Sequence, residues 1–323
     1  MAPLQKDPLR RSNSPEFMKF EGRTKRVLLA TSAAFAITER FSVGVSVQHL
    51  AGLSVQLGID GTLGYPSGDD SRLQLNLDGK VKNSRYTQVG ATWRVSDAVT
   101  LGGLYRQKFE FLEAQGITVH ADIGLPDLPP VIDDAYLQVQ AAAIKTFQPA
   151  TAWASLTVQP SERLELTTDL GWFDWSAFRN PQASVTVESD FGTFDVPIVP
   201  STLRPQPGFK DAYAARVGFE FMPSGPTSRF AFRGGYGYQS AAGAPQTNVN
   251  NFIDGALQTF AAGMGVRSEG FGILSRPLYF DVFAQWAVQP TQAHIKASPA
   301  DLVGDYTSKA QQLSFGATLR LEF

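Results

Sequence analysis

The feature that most constrains this chain is a strict alternation of apolar and polar residues, which recurs along most of its length. In the final segment, for example, Leu313, Phe315 and Ala317 alternate with Gln312 and Ser314. Successive side chains on a β-strand point to opposite faces, so each such segment predicts a strand with one apolar and one polar face. The alternating segments are residues 26–37, 41–48, 86–95, 99–109, 135–158, 164–172, 213–221, 229–239, 255–266, 278–288 and 311–323.

The connections between these eleven segments are short and long in turn. The short ones are residues 38–40, 96–98, 161–163, 224–228 and 267–272, and the long ones are residues 60–70, 122–134, 190–207, 241–251 and 290–306. An antiparallel meander that sorts its loops in this way is typical of outer-membrane barrels, whose periplasmic turns are short and whose external loops are longer. We therefore predict an all-β fold, an up-and-down antiparallel transmembrane β-barrel. A soluble β-sandwich that acts as a binding module is the alternative.

In such a barrel the apolar face of each strand contacts lipid and the polar face lines the interior. The residues predicted to face lipid include Leu164, Leu166, Leu170, Phe230, Phe232, Phe280, Val282, Leu319 and Leu321.

Composition excludes several other classes of protein. No apolar run approaches the ~20 residues that a membrane-spanning helix requires. The chain has no cysteine, which excludes disulfides and thiolate zinc sites. A net charge of −2 provides no basic surface for nucleic acid. The three histidines are far apart and lack metal-ligand spacing, so we predict no catalytic, cofactor or metal site.

Several aromatic residues fall on the polar face of their segments, which is unusual for an aqueous pore. They are Trp153, Phe173, Trp175, Tyr279 and Phe283. Ligand pockets are mostly apolar with a few polar groups, so inward aromatics predict a path for apolar ligands. The alternative is that they form an interfacial belt, or that β-bulges reverse the alternation.

Charged residues also fall on the polar face, namely Arg94, Asp169, Arg216 and Arg233. Across a lumen they would either pair and brace the wall or bind a carboxylate head group. The sequence leaves both interpretations open.

Two motifs and the C-terminal residue resemble the FadL/TodX family of outer-membrane transport proteins for hydrophobic compounds. The first motif ends a strand with a Trp-Ser-x-Phe pattern, and the second begins the next strand with Phe-Lys-Asp-x-Tyr. The residues that carry the resemblance are Trp175, Ser176, Phe178, Phe209, Lys210, Asp211, Tyr213 and the terminal Phe323.

This resemblance implies passive transport of long-chain fatty acids or other hydrophobic compounds across the outer membrane of a Gram-negative bacterium. It implies no enzymatic activity. The expected partners are outer-membrane lipid, a hydrophobic ligand such as a fatty acid, and the outer-membrane assembly machinery, which would recognise Phe323; a monomer is expected. A general aqueous porin is the alternative function, and a barrel enzyme that modifies lipids is a further one.

The family pattern has fourteen strands preceded by a hatch segment that plugs the barrel, whereas about eleven strands are predicted here. The resemblance begins near the fourth strand of that pattern. We therefore expect residues 24–323 to form a barrel domain that lacks its N-terminal part, and residues 1–23 to be a disordered or non-native extension.

Overall fold

The structure is a computed structural model. It describes residues 16–17, 28–64, 72–124, 132–179, 184–190, 206–225, 229–268, 278–299, 301 and 303–321. Within these ranges no helix is both long and apolar enough to span a membrane.

The described residues form sixteen strands and one short 3-10 helix. The strands are β1 Glu16–Phe17, β2 Leu28–Ala36, β3 Phe41–Gly64, β4 Arg72–Ser96, β5 Val99–Arg106, β6 Phe109–Gly124, β7 Ile132–Gln148, β8 Thr151–Ser161, β9 Leu164–Phe173, β10 Ser184–Asp190, β11 Ala212–Phe221, β12 Phe230–Gln239, β13 Phe252–Ile253, β14 Leu257–Ser268, β15 Leu278–His294 and β16 Tyr306–Leu321; the 3-10 helix is Trp175–Ala177.

The predicted strands are confirmed, because most of the described residues in each of the eleven alternating segments lie in strands of one large sheet. From β2 to β5 and from β8 to β16, strands that span the sheet pair antiparallel with their neighbours in chain order. The fold is therefore an up-and-down antiparallel β-barrel of the transmembrane class. We refer to the side with the short connections as the turn end and to the other side as the loop end.

The predicted lipid face is exposed. On β9, Leu166 and Leu170 are exposed, whereas Gly171 on the inner face is buried. The exposed apolar side chains on this face include Leu166, Leu170, Phe230, Phe232, Phe280, Val282 and Leu319. Leu164 is half-buried. The side chain of Leu321 lies outside the described residues, so its predicted position stays a prediction.

Two strands are interrupted at the same level of the sheet. The predicted segment 135–158 divides into β7 and β8 at Pro149 and Ala150, which are buried. Proline lacks the backbone N–H that a sheet ladder requires, which explains the break. The adjacent strand β5 is interrupted at the same level, because it ends at Arg106. The Arg106 guanidinium donates a hydrogen bond of 3.5 Å to the carbonyl of Pro149. Below this level β5 pairs with β8, and above it β6 pairs with β7.

At the loop end the strands run further than the sequence predicted. Residues 60–64 and 122–124 are strand rather than loop, and β10 adds a strand to the edge of β7. β6 also pairs in parallel with β3, which departs from the meander. Beyond the membrane neither face of a strand must be apolar, so alternation weakens there and cannot mark where a strand ends.

Of the predicted extension at residues 1–23, the structure describes Glu16 and Phe17 alone, which pair in parallel with Phe252 and Ile253. The division into an extension and a barrel domain therefore stays a prediction.

Candidate ligand path

A stack of an indole and a guanidinium lies on the inner wall towards the loop end. The six-membered ring of Trp153 on β8 covers Gly171 on β9, and a Cβ atom at Gly171 would lie 2.8 Å from two of its ring carbons. On the indole, the guanidinium carbon of Arg216 lies 4.3 Å from the ring centroid. Trp153 is thus held between the wall and Arg216, in the geometry of a cation–π contact.

The side chain of Phe173 joins this stack to a group of aromatic rings near the loop end. Its ring meets that of Trp153 edge to face, with the centroids 5.5 Å apart. We call this group of rings, which includes Phe173, the rim cluster. It consists of Phe147, Phe173, Trp175, Phe178, Phe209 and Phe252, packed with the buried Ala212 and Ala242. Its rings are joined by stacked and edge-to-face contacts, such as the stacked pair Phe178 and Phe209 with centroids 4.9 Å apart.

Trp175 also packs in the rim cluster, but it lies outside a strand, which the sequence did not predict. β9 ends at Phe173, and Trp175 begins the 3-10 helix that follows. Alternation within a strand therefore does not set its direction. The Trp175 ring instead packs 5.7 Å from Phe147 and 6.0 Å from Phe209, measured between centroids. Its indole nitrogen is buried without a hydrogen-bond partner among the described residues.

The two motifs that carry the family resemblance meet at Asp211. One carboxylate oxygen of Asp211 accepts a hydrogen bond of 2.9 Å from the indole of Trp172, and the other accepts one of 3.2 Å from the backbone N–H of Ser176. Burial would raise the pKa of Asp211, but these hydrogen bonds outweigh it and hold the pKa below its ordinary value. Asp211 therefore fastens the turn after β9 to the start of β11.

The remaining motif residues lie around this joint. The backbone N–H of Lys210 donates to the carbonyl of Ala242, and the Lys210 side chain is exposed. Tyr213 points to the outer face and is 60% exposed, while its backbone exchanges hydrogen bonds with Ser240. Phe323 lies outside the described residues. The roles of these residues stay predictions.

Near the turn end, two aromatic residues of β15 occupy the inner face. Phe283 is half exposed, and its ring lies over Gly316 on β16, where there is no room for a Cβ atom. Tyr279 lies next to two guanidiniums, with the carbon of Arg320 4.4 Å and that of Arg267 5.6 Å from its ring centroid. The structure thus brings Trp153, Phe173 and Trp175 together and places Tyr279 and Phe283 in a second group.

The inward charges divide into two kinds. Arg233 on β12 forms ion pairs with Glu220 on the adjacent β11 and with Asp281 on β15, which lies one strand further away across β14. Arg233 is therefore paired along the wall of the sheet, and its bracing role stays a prediction. Asp169 accepts a hydrogen bond of 2.5 Å from the hydroxyl of Ser155. Arg216 pairs with Asp169 in strand register, yet within the described part of the chain it forms no ion pair.

Sequence reasoning missed a buried polar group between the two last loops. The ammonium of Lys296 lies 3.3 Å from a carboxylate oxygen of Asp301 and donates to the carbonyls of Asn248 and Asn250. His294 is fully buried beside it. These residues are separated in the sequence by up to about fifty positions and share no motif, so no sequence signal identified them. Among the described residues no group of histidine and carboxylate side chains could hold a metal ion.

A family model described as outer membrane protein transport protein (OMPP1/FadL/TodX) matches residues 20–320. The chain belongs to this family. No curated protein sequence matches the chain. FadL/TodX proteins lie in the outer membrane of Gram-negative bacteria and transport hydrophobic compounds passively through a barrel. They are channels and not enzymes, which removes the lipid-modifying alternative.

Two solved structures of this family, which superimpose with TM-scores of 0.50 or more, have the same fold. A FadL homologue of Pseudomonas aeruginosa superimposes with a TM-score of 0.56 at 19% identity, over 90% of this chain and 67% of that one. A ΔS2S3 mutant of TodX, described as a monoaromatic hydrocarbon channel, gives a TM-score of 0.50 at 13% identity, over 91% of this chain and 69% of that one. The toluene transporter TodX of Pseudomonas putida is 14% identical over 90% of this chain and 68% of that one, with a TM-score of 0.44.

Proposed function

We propose that hydrophobic compounds, with long-chain fatty acids as one class, pass along the inner aromatic wall of this protein. The ligand would meet the rim cluster first, then Trp153 and Phe173, and finally Phe283 and Tyr279 near the turn end. The observation that carries this proposal is two series of ring contacts, one from Phe209 through Trp175 to Phe147 and one from Phe173 to Trp153, with Phe173 packed in the rim cluster.

The physical driving force in this proposal is burial of apolar ligand surface at successive positions. Each Å² of apolar surface removed from water contributes ~25 cal/mol. Such surface is offered by rings that are not fully buried, namely those of Trp153 and Phe173 towards the loop end and of Phe283 and Tyr279 towards the turn end. Arg233 with its two carboxylates supplies a polar level between Tyr279 and Phe283. A ligand that is bound moderately at each level can also leave it, which passive transport requires.

The proposal includes three partners beyond the ligand. Lipid would contact the exposed apolar side chains of the outer face, such as Phe315, which is 74% exposed. The assembly machinery of the outer membrane would recognise Phe323 at the end of the last strand. We also propose a monomer, because a barrel that pairs its strands within one chain needs no second copy.

An uptake experiment tests the ligand path. Cells that express the protein in the outer membrane are given a labelled fatty acid and a labelled sugar of similar mass. We expect preferential uptake of the fatty acid, and we expect Phe173→Arg and Phe283→Arg to lower it, because a charge in an apolar path must be desolvated. Thr259→Arg is the matched control, since Thr259 shares the inner face with Phe283 but belongs to neither aromatic group.

A general aqueous porin is the competing function, and the inward charges favour it. If the sugar enters as well as the fatty acid, and both phenylalanine variants leave fatty-acid uptake unchanged, the porin interpretation is correct. If Thr259→Arg lowers fatty-acid uptake as much as Phe173→Arg does, the loss is a general effect of added positive charge and not an effect on the aromatic path.

A further inference from the structure

We infer that Arg216 selects hydrophobic ligands that carry a carboxylate over neutral ligands of the same length. This inference rests on the proposed function and names the ligand class for the level of the wall that Trp153 occupies. It begins from a contrast between two arginines on the same face of the sheet.

Arg233 is held in ion pairs with two carboxylates, whereas Arg216 forms none within the described residues. Arg233 forms two ion pairs, one with Glu220 on the adjacent β11 and one with Asp281 on β15, across the intervening β14. Arg216 has Asp169 opposite it in register, but the Asp169 carboxylate accepts a hydrogen bond from Ser155. Within the described residues the Arg216 guanidinium contacts the Trp153 ring and makes no ion pair. An exposed positive charge is therefore left on the inner wall.

The contact with Trp153 limits where this charge can lie. The guanidinium carbon lies over the indole, 4.3 Å from the ring centroid, so the aromatic face bounds one side of the guanidinium. Trp153 itself cannot move towards the wall, because its ring already covers Gly171. The contact with Trp153 thus restricts the position of the planar Arg216 guanidinium. The paired N–H groups of a guanidinium match the two oxygens of a carboxylate.

The surroundings of the Arg216 guanidinium are apolar on one side. Phe173 meets Trp153 edge to face, and the rim cluster continues from Phe173 towards the loop end. A ligand with its chain along these rings would bring a terminal carboxylate to Arg216. A neutral hydrocarbon or alcohol of the same length would bury the same apolar surface and gain no ion pair.

The test compares uptake of labelled dodecanoate with uptake of labelled dodecanol in cells whose outer membrane contains the full chain. We expect Arg216→Gln to lower dodecanoate uptake about tenfold relative to dodecanol, which corresponds to about 1.4 kcal/mol. Arg216→Lys keeps the charge but lacks the planar guanidinium, so a smaller loss of about threefold is expected. Arg94→Gln is the matched control, since it removes an exposed inner-face arginine near the turn end that has no aromatic contact among the described residues.

The amount of folded barrel is measured for each variant by its heat-sensitive mobility in electrophoresis, and uptake is divided by that amount. The inference is overturned if Arg216→Gln changes both compounds equally or changes neither. It is also overturned if Arg94→Gln lowers dodecanoate uptake as strongly as Arg216→Gln does, because the overall electrostatic potential of the lumen would then explain the preference for dodecanoate. If the wild-type chain takes up neither compound faster than a sugar, the proposed function fails as well.

Discussion

Trp153 and Gly171 pack as one unit on the inner wall, with the indole ring lying where the Cβ atom of any other residue would be. That Cβ atom would lie 2.8 Å from two carbons of the ring, closer than side chains pack. The glycine therefore determines where the indole lies, and the indole determines where the guanidinium of Arg216 lies.

Replacing Gly171 with valine should displace Trp153 and destabilise the barrel by about 1–3 kcal/mol, as overpacking of a tight site does. The matched control is Gly103→Ala on β5, where a Cβ atom would have open space. The measurement is the temperature at which the protein unfolds in detergent, followed by electrophoretic mobility. Equal unfolding temperatures for Gly171→Val and Gly103→Ala would contradict this packing.

Placing arginine at Val282 should cost ~2–4 kcal/mol of barrel stability, the range for lipid-facing positions near the middle of a membrane. At Leu166, the third residue of β9, the cost should be smaller, because it decreases towards the interface. Both side chains are exposed on the outer face. Thr167→Arg is the control, because Thr167 is the next residue and points to the inner face. Equilibrium unfolding in lipid vesicles measures the free energies. If arginine at both outer positions is neutral, these residues do not face lipid.

The ion pair between Arg233 and Asp281 should contribute about 0.2–1 kcal/mol, because both groups are partly exposed in the lumen. A double-mutant cycle with Arg233→Gln and Asp281→Asn measures the coupling free energy. We expect the coupling to decrease when salt is added, since exposed charges are screened. A coupling that is zero at low salt would mean that Arg233 does not brace the wall.

The joint at Asp211 should loosen in acid. The folded-state pKa of Asp211 lies below its ordinary value of 3.8, so the joint contributes stability above that value and loses it as the pH falls through the folded-state pKa. Cleavage between β9 and β11 by an acid-active protease such as pepsin should therefore increase as the pH is lowered through this window.

The variant Asp211→Asn should remove this dependence on pH, because the amide has no charge to lose. Asp174→Asn is the control, since Asp174 accepts a hydrogen bond from the Ser176 hydroxyl and leaves both donors to Asp211 in place. A wild-type protein whose cleavage rate does not change across the window, after correction for protease activity, would argue against the joint.

The sequence predicted the strands well because lipid forces alternation on every segment that crosses the membrane. Leu166 and Thr167 fall on the predicted faces for this reason. The interruption of the predicted segment 135–158 followed from Pro149. At the loop end this constraint ends, so the parallel pairing of β6 with β3 had no sequence signal.

The candidate ligand path was predicted in part. Alternation placed Trp153, Phe173, Tyr279 and Phe283 on the inner face because all four lie within regular strands. Alternation could not predict the direction of the Trp175 side chain, because Trp175 lies in the 3-10 helix after β9. The sequence also could not distinguish Arg216 from Arg233, since ion pairing depends on which strands become neighbours.

The central claim is that a hydrophobic ligand contacts the inner wall at Trp153 while lipid contacts the outer wall. Two variants test it, one with Trp153 and one with Trp286 as its only tryptophan, each refolded in vesicles. Trp286 is exposed on the outer face. In vesicles of brominated phosphatidylcholine, the fluorescence of Trp286 should be quenched and that of Trp153 should be unchanged. When a brominated fatty acid is added to unbrominated vesicles, the fluorescence of Trp153 should be quenched, and the quenching should saturate with concentration. Quenching of Trp153 by the brominated lipid as strong as that of Trp286, or no quenching of Trp153 by the brominated fatty acid, would contradict the account.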